Sequence, residues 1–202
     1  LRVENATKTG YCRDVSFNVH AGEVVGLTGL VGAGRTEVVE ALFGATSLDG
    51  GDIYIEGQKT RISCPNEAMA KGMGLLPEDR QREGLLMPWS INCNVTLPTL
   101  KRCQNGIFLS GKKEHDISEI LKELLSIKAN DVEATADSLS GGNQQKVVVA
   151  KQLAINPKII ILDEPTKGVD VGSKAAIYEI MSDLAEKGIG IYRSYVGNLF
   201  TS

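Results

Sequence analysis

The stretch that most constrains this chain is Val24-Val25-Gly26-Leu27-Thr28, then Gly29-Leu30-Val31-Gly32-Ala33-Gly34-Arg35-Thr36, then Glu37-Val38-Val39-Glu40-Ala41-Leu42-Phe43. The first five residues read as a buried strand and the last seven as a helix. A glycine-rich turn between them leaves bare backbone N–H groups at the positive end of the helix, a place suited to an anion. A second apolar run, Lys158-Ile159-Ile160-Ile161-Leu162, ends in Asp163-Glu164-Pro165. It is too short for a membrane span and continuous enough for a strand buried on both faces of a parallel sheet. Two such strands call for an α/β architecture built on a mainly parallel sheet.

Strand, glycine loop and helix in this order make a P-loop, in which backbone N–H groups curl around a triphosphate and Thr36 is placed to ligate Mg²⁺. Arg35 stands where lysine is expected. Its guanidinium keeps the positive charge but is longer, planar and forked, so nucleotide binding survives the change better than fast hydrolysis does. At the other strand end, Asp163 suits Mg²⁺ and Glu164 suits orientation or deprotonation of an attacking water. A single capping acid there would be ordinary; a pair followed by Pro165 and the turn Lys167-Gly168-Val169-Asp170 is less so. Leu139-Ser140-Gly141-Gly142-Asn143-Gln144-Gln145-Lys146 is a third glycine turn opening an apolar helix. Alone it is also what a serine-capped helix shows; beside the other two motifs it reads as a further phosphate-site element.

These three motifs resemble those of ABC-type ATPases. With Pro165-Thr166-Lys167-Gly168-Val169-Asp170-Val171-Gly172 they look like the second nucleotide-binding half of ATPases from ABC carbohydrate importers of the ribose, galactose and xylose type. The resemblance runs from about Leu1 to Ile191. It implies a P-loop NTPase fold of ABC ATPase type, with an antiparallel strand layer and a helical subdomain carrying the signature. It implies ATP and Mg²⁺ as cofactors, held by Gly29, Gly32, Ala33, Gly34, Arg35 and Thr36, with Thr36 and Asp163 on the metal. Asp163 and Glu164 would be catalytic, and Glu78, in Met73-Gly74-Leu75-Leu76-Pro77-Glu78-Asp79-Arg80, would occupy the position of the Q-loop glutamine. Ser140, Gly141 and Gly142 would serve the nucleotide of a facing half, either a first nucleotide-binding half or a second copy, and Asp170, in a turn that resembles the family's D-loop, would be a further nucleotide-binding residue. The further partners implied are transmembrane permease subunits and, indirectly, a sugar-binding protein, which would put the chain at the cytoplasmic face of the plasma membrane.

Composition agrees. With 202 residues the chain can bury one sizeable core, and a formal charge of −3 without a Lys/Arg block offers no footprint for nucleic acid. Too little chain separates Thr36 from Ser140 for a long coiled-coil insertion, against a soluble ABC ATPase acting on DNA or ribosomes. A clamp half that binds ATP but seldom hydrolyses it stays open because of Arg35 and Glu78. Cys12, Cys64, Cys93 and Cys103 lack metal-site spacing and read as reduced thiols; His20 and His115 receive no role.

Val15, Phe17 and Val19 alternate as in a half-buried antiparallel strand, and Asp49-Gly50-Gly51-Asp52 turns into another at Ile53-Tyr54-Ile55. Core segments are expected at 1–85 and 139–191, with the helical subdomain at about 86–138. There Ile117, Ile120, Leu121, Leu124 and Leu125 form a helical stripe read as core packing, and Trp89 reads as an aromatic anchor of the subdomain, with a residue facing the transporter as the alternative reading. Beyond Ile191 the family pattern stops: residues 192–202 match none of the strand and switch-loop sequence expected, and no histidine follows Asp163-Glu164. Together with a first residue other than methionine, this reads as a fragment or a disrupted coding sequence.

Overall fold

The computed structural model describes residues 1–30 and 32–196. The chain packs as two compact units: Leu1–Glu78, Pro157–Pro165 and the residues from Met181 onward form one, and Asp79–Asn156 with Thr166–Ile180 form the other. These divisions differ from the expected 85/86 and 138/139, because the helix that follows the signature turn packs with the helical unit.

The first unit holds two sheets. Strands β1 (Arg2–Lys8), β2 (Cys12–Asn18), β4 (Gly50–Ile55) and β5 (Gln58–Thr60) form an antiparallel sheet in the order β2-β1-β4-β5. The Val15–Phe17–Val19 alternation lies along β2 and just past its end, as expected of a strand with one covered face. Strands β3 (Val24–Gly29), β6 (Met73–Leu76), β9 (Ile159–Asp163) and β10 (Gly190–Val196) form a parallel sheet in the order β3-β10-β9-β6. Every residue of β9 is buried, the reason its sequence is an unbroken apolar run ending in an acid. β3, expected to be buried as well, is instead the edge strand of this sheet, with Val24 exposed and none of its residues fully buried, because only one neighbour strand pairs with it. Helices α1 (Arg35–Phe43) and α2 (Pro65–Ala70) belong to the same unit, and Val38, Leu42, Met73, Ile161 and Tyr192 fill its core.

One expectation about the carboxyl end is overturned. Residues 192–196 are not an atypical tail: they are most of β10, which lies between β3 and β9 with Tyr192 opposite Val25 on one side and Ile161 on the other. Tyr192 stacks on Phe17 at a 4.4 Å centroid separation and is buried. The strand forms because Gly190, Ile191 and Tyr192 supply buried positions, whatever family pattern the later residues lack. Residues 197–202 of the expected tail lie outside the described residues.

The second unit is mainly helical, with α3 (Ile91–Thr96), a short hairpin of β7 (Gln104–Asn105) and β8 (Phe108–Leu109), α4 (Gly111–Leu124), α5 (Gly141–Leu153) and the start of α6 (Val171–Glu186). Asn94 organises its entrance: fully buried, it donates to the carbonyls of Leu86, Trp89 and Ser90 and accepts from the Leu86 amide. Two expectations fail here. The α4 stripe is not uniformly core: Leu121 and Leu125 are buried, whereas Ile120 is 64% and Leu124 51% exposed. The inward face turns instead through Ser118, whose hydroxyl donates to Asn92 Oδ1 at 2.9 Å, so a polar residue takes a place that apolar periodicity assigned to its neighbours. Trp89 is 50% exposed, so its ring is not a buried anchor; backbone bonds and Asn94 hold its segment. Among the described residues no helix is long and apolar enough to cross a membrane, and the four cysteines are free.

Candidate functional site

The carboxyl edge of the parallel sheet gathers the first cluster, all of it within the first unit. β3 ends at Gly29, β9 at Asp163, and β6 at Leu76, two residues before Glu78. Gly32 and Gly34 both have φ near +80°, a region costly for side chains with a Cβ. At Gly34 the cost is compounded, since a Cβ would lie 2.5 Å from the Tyr11 carbonyl oxygen in the β1–β2 turn. Gly29 and Ala33 lie against the arginine: a Cβ on Gly29 would sit 3.3 Å from both Ala33 Cβ and Arg35 Cδ.

Arg35, the first residue of α1, is 8% exposed. Its Nη2 donates to Glu164 Oε1 at 2.9 Å, while Nε and Nη1 are buried without a protein partner. Two unsatisfied guanidinium N–H groups in a buried place are costly unless a ligand completes them. Glu164 is itself held in an uncommon way. Its φ of +44° is left-handed, uncommon for a residue other than glycine, its amide donates to the Ser194 carbonyl at 3.3 Å, and its carboxylate meets Arg35. Thr36 Oγ1 donates to Glu78 Oε2 at 3.3 Å, which brings two of the expected residues together. Asp163 is 2% exposed and accepts a hydrogen bond from Ser194 Oγ on the neighbouring β10.

The residues present fit a magnesium–nucleotide. Arg35 carries unfilled donors, the loop backbone is glycine-shaped, and the donor set of Thr36, Asp163 and Glu78 is all oxygen. No cluster of three or more His, Cys, Asp or Glu able to hold a metal occurs among the described residues. Mg²⁺ binds through one or two carboxylates plus substrate phosphates, a requirement the Thr36 hydroxyl and the Asp163 carboxylate can meet.

The second cluster lies within the helical unit. Ser140 caps α5, accepting from the Asn143 amide and, at 3.0 Å, from Asn143 Nδ2. Gly141 and Gly142 follow at the first two helical positions. A Cβ on Gly142 would collide with Ser173, 2.7 Å from its Cβ, and one on Gly141 would lie 2.8 Å from Arg80 Nη2. Asp170 accepts from the Ser173 amide at 2.9 Å; the Ser173 hydroxyl and amide together hold its carboxyl below the usual carboxylate value.

Sequence reasoning missed Tyr11, Arg80 and Ser194. Tyr11 is 53% exposed with its backbone against Gly34, and the lone aromatic in Thr9-Gly10-Tyr11 was the available signal. Nothing local in the sequence points to the other two, whose partners are distant in the chain.

A glycine loop between the edge strand β3 and helix α1, with an acid at the end of the buried strand β9 two positions along the same parallel sheet, defines a P-loop nucleotide-binding fold. The ABC transporter model matches residues 12–167. The chain belongs to the ABC transporter family. It is 50% identical over 191 residues to the ribose import ATP-binding protein RbsA of Geobacillus kaustophilus and to that of Bacillus subtilis, in each case 95% of this chain and 39% of the relative. A putative ribose/galactose/methyl galactoside import ATP-binding protein of Rhizobium etli is 44% identical over 95% of this chain and 36% of its own length. The chain thus spans less than half the length of these relatives. Among solved structures, an ATP-binding cassette bound to ADP and Pi in a post-hydrolysis dimer aligns with a TM-score of 0.80 at 23% identity, over 98% of this chain and 88% of that one. A nucleotide-free cassette from an ABC transporter aligns at 0.82 and 22%, over 98% and 81%. At that identity the likeness concerns the fold.

Proposed function

We propose that this chain is one nucleotide-binding domain, comprising both compact units, of an ATPase that powers sugar import through separate permease subunits at the cytoplasmic face of the plasma membrane. The observation that carries the reading is the buried Arg35 guanidinium with two unfilled donors beneath a glycine loop. In this reading the loop amides from Gly29 to Thr36 and Arg35 bind the triphosphate, and the exposed ring of Tyr11 offers a flat face to the base. Thr36 and Asp163 hold Mg²⁺, which when bound offsets the charge on the phosphates. Ser194 keeps the Asp163 carboxylate in place. Glu164 takes a proton from water or orients it, and Glu78 holds Thr36 through its hydroxyl. Ser140, Gly141, Gly142 and Asp170 serve the nucleotide of a facing half, and the similarity to ribose importers supports a sugar as cargo, delivered by a binding protein.

Titration calorimetry tests it. Wild-type chain should bind Mg·ATP, and Thr36→Ala should lower the affinity by about tenfold in Mg²⁺ while changing it little in EDTA. Equal Mg·ATP affinity in that variant would remove Thr36 from the metal.

One observation favours a second reading, in which this half clamps ATP and seldom hydrolyses it. Glu164 is committed to Arg35 at 2.9 Å, and a carboxylate engaged by a forked guanidinium is not positioned for water. Arg35→Lys, with its compact ammonium, should raise single-site turnover if that restraint operates, and leave it unchanged if it does not.

A further inference from the structure

The helical unit contains a side-chain network that the nucleotide reading does not use, centred on Arg80. All three nitrogens of its guanidinium donate. Nη1 bonds the Lys167 carbonyl at 2.9 Å, Nη2 the Gly168 carbonyl at 3.1 Å, and Nε the Gln144 Oε1 at 3.3 Å. Gln144 is buried on the first turn of α5 and donates in turn to the carbonyls of Ala136 and Leu139, the residues that lead into the signature turn. Gln81 adds a donor to the same Gln144 oxygen at 3.4 Å.

Arg80 is itself fixed. It opens a single wide helical turn, Arg80–Gly84, capped by Asp79, which accepts from the amides of Gln81 and Arg82. The Lys151 ammonium donates to the Gly84 carbonyl at 2.9 Å and ties the end of that turn back to α5. Two glycines make room for the guanidinium: a Cβ on Gly141 would lie 2.8 Å from Nη2 and one on Gly168 3.4 Å from Nη1. Gly168 also has φ of +64°. A planar fork reaching two successive carbonyls in one segment and an amide oxygen in another is a geometry that lysine cannot reproduce.

We propose that Arg80 is a positioning residue that locks the Lys167–Asp170 turn to the signature turn, so that Ser140, Gly141, Gly142 and Asp170 are presented to a facing half as one preformed surface. On this account Gly141 is small because Arg80 fills the space beside it. The proposal rests on the reading that these four residues serve a facing nucleotide; the lock itself is testable without that reading. Presetting two segments before association lowers the ordering cost at the moment of contact.

The experiment uses hydrogen exchange with mass spectrometry, Mg·ATP titration and ATP-dependent association with the facing half, on wild type, Arg80→Lys and Arg80→Gln. In Arg80→Gln, amides of residues 167–173 should exchange at least about tenfold faster, since two hydrogen bonds from a charged donor are lost. The α5 interior and β3 should be unchanged. Mg·ATP affinity at this chain's own P-loop should stay at the wild-type value while association with the facing half weakens, and Arg80→Lys should fall between wild type and Arg80→Gln. Wild-type exchange at 167–173 in Arg80→Gln overturns the proposal, and so does acceleration spread evenly over the helical unit, which would mark Arg80 as general scaffold. Failure of the wild type to bind Mg·ATP or to associate would sink the functional reading and leave the exchange result to judge the lock.

Discussion

Two arginines, one in each compact unit, show opposite states of completion. Arg35 spends one guanidinium nitrogen on Glu164 and leaves two buried without a protein partner, whereas Arg80 spends all three on protein oxygens. A buried donor without an acceptor is tolerated where a ligand arrives to satisfy it, and in the function proposed above the phosphates would be that ligand for the first arginine. The second marks a surface already set. The pair separates residues that bind from residues that hold others in place, although both would read as basic side chains beside a glycine turn.

The largest effect that could break this contrast is at Glu164. If that carboxylate handles water, Glu164→Gln in the chain assembled with the facing half and permease proposed above should lower turnover at this site by roughly two to four orders of magnitude while Mg·ATP binding persists. Unchanged turnover would instead favour the clamp reading. Next comes the incomplete arginine: Arg35→Ala should weaken Mg·ATP affinity by about 30-fold by calorimetry, through loss of charged hydrogen bonds. An affinity within about twofold of wild type, a change below the worth of one such bond, would mean that the two unfilled donors face no phosphate.

A smaller effect sharpens the account of the completed surface. Gly142→Ala should destabilise the chain by about 1–3 kcal/mol in urea unfolding, because the new methyl meets the Ser173 side chain. The P-loop affinity should not move with it. The smallest effect is a titration. Asp170 has its carboxyl held low by Ser173, so the protection of the Ser173 amide should be fully present above the ordinary aspartate value and be lost as pH falls through the lowered one. Loss of that amide's shift already at the ordinary value, followed by NMR, would show that the cap is not formed.

How much of this was legible in the residues follows from the range of each interaction. The β3–loop–α1 segment and β9 were readable because a glycine turn and a run buried on both faces are written in consecutive positions. The alternation of β2 was readable for the same reason. The α4 stripe was misread because helical periodicity names a face but not the partner, and burial of Ser118 against Asn92 rotated that face away from Ile120 and Leu124. Trp89 was misread because size alone does not say whether a loop turns a ring inward. Residues 192–196 looked foreign to the family yet complete the sheet, since a parallel strand needs backbone pairing and a few buried side chains more than a motif.

What the sequence by itself determined was the α/β class, the glycine loop ending in Arg35 and Thr36, the acid pair, and the serine-capped signature helix, all properties of local chain geometry and side-chain chemistry. Only the tertiary structure decided that Arg35 meets Glu164, that Ser194 bonds Asp163, and that Arg80 joins Gly168 to Gln144. Each of those contacts spans tens of residues or more in the chain, and no periodicity or propensity encodes which distant oxygen a forked donor will reach once the core has closed.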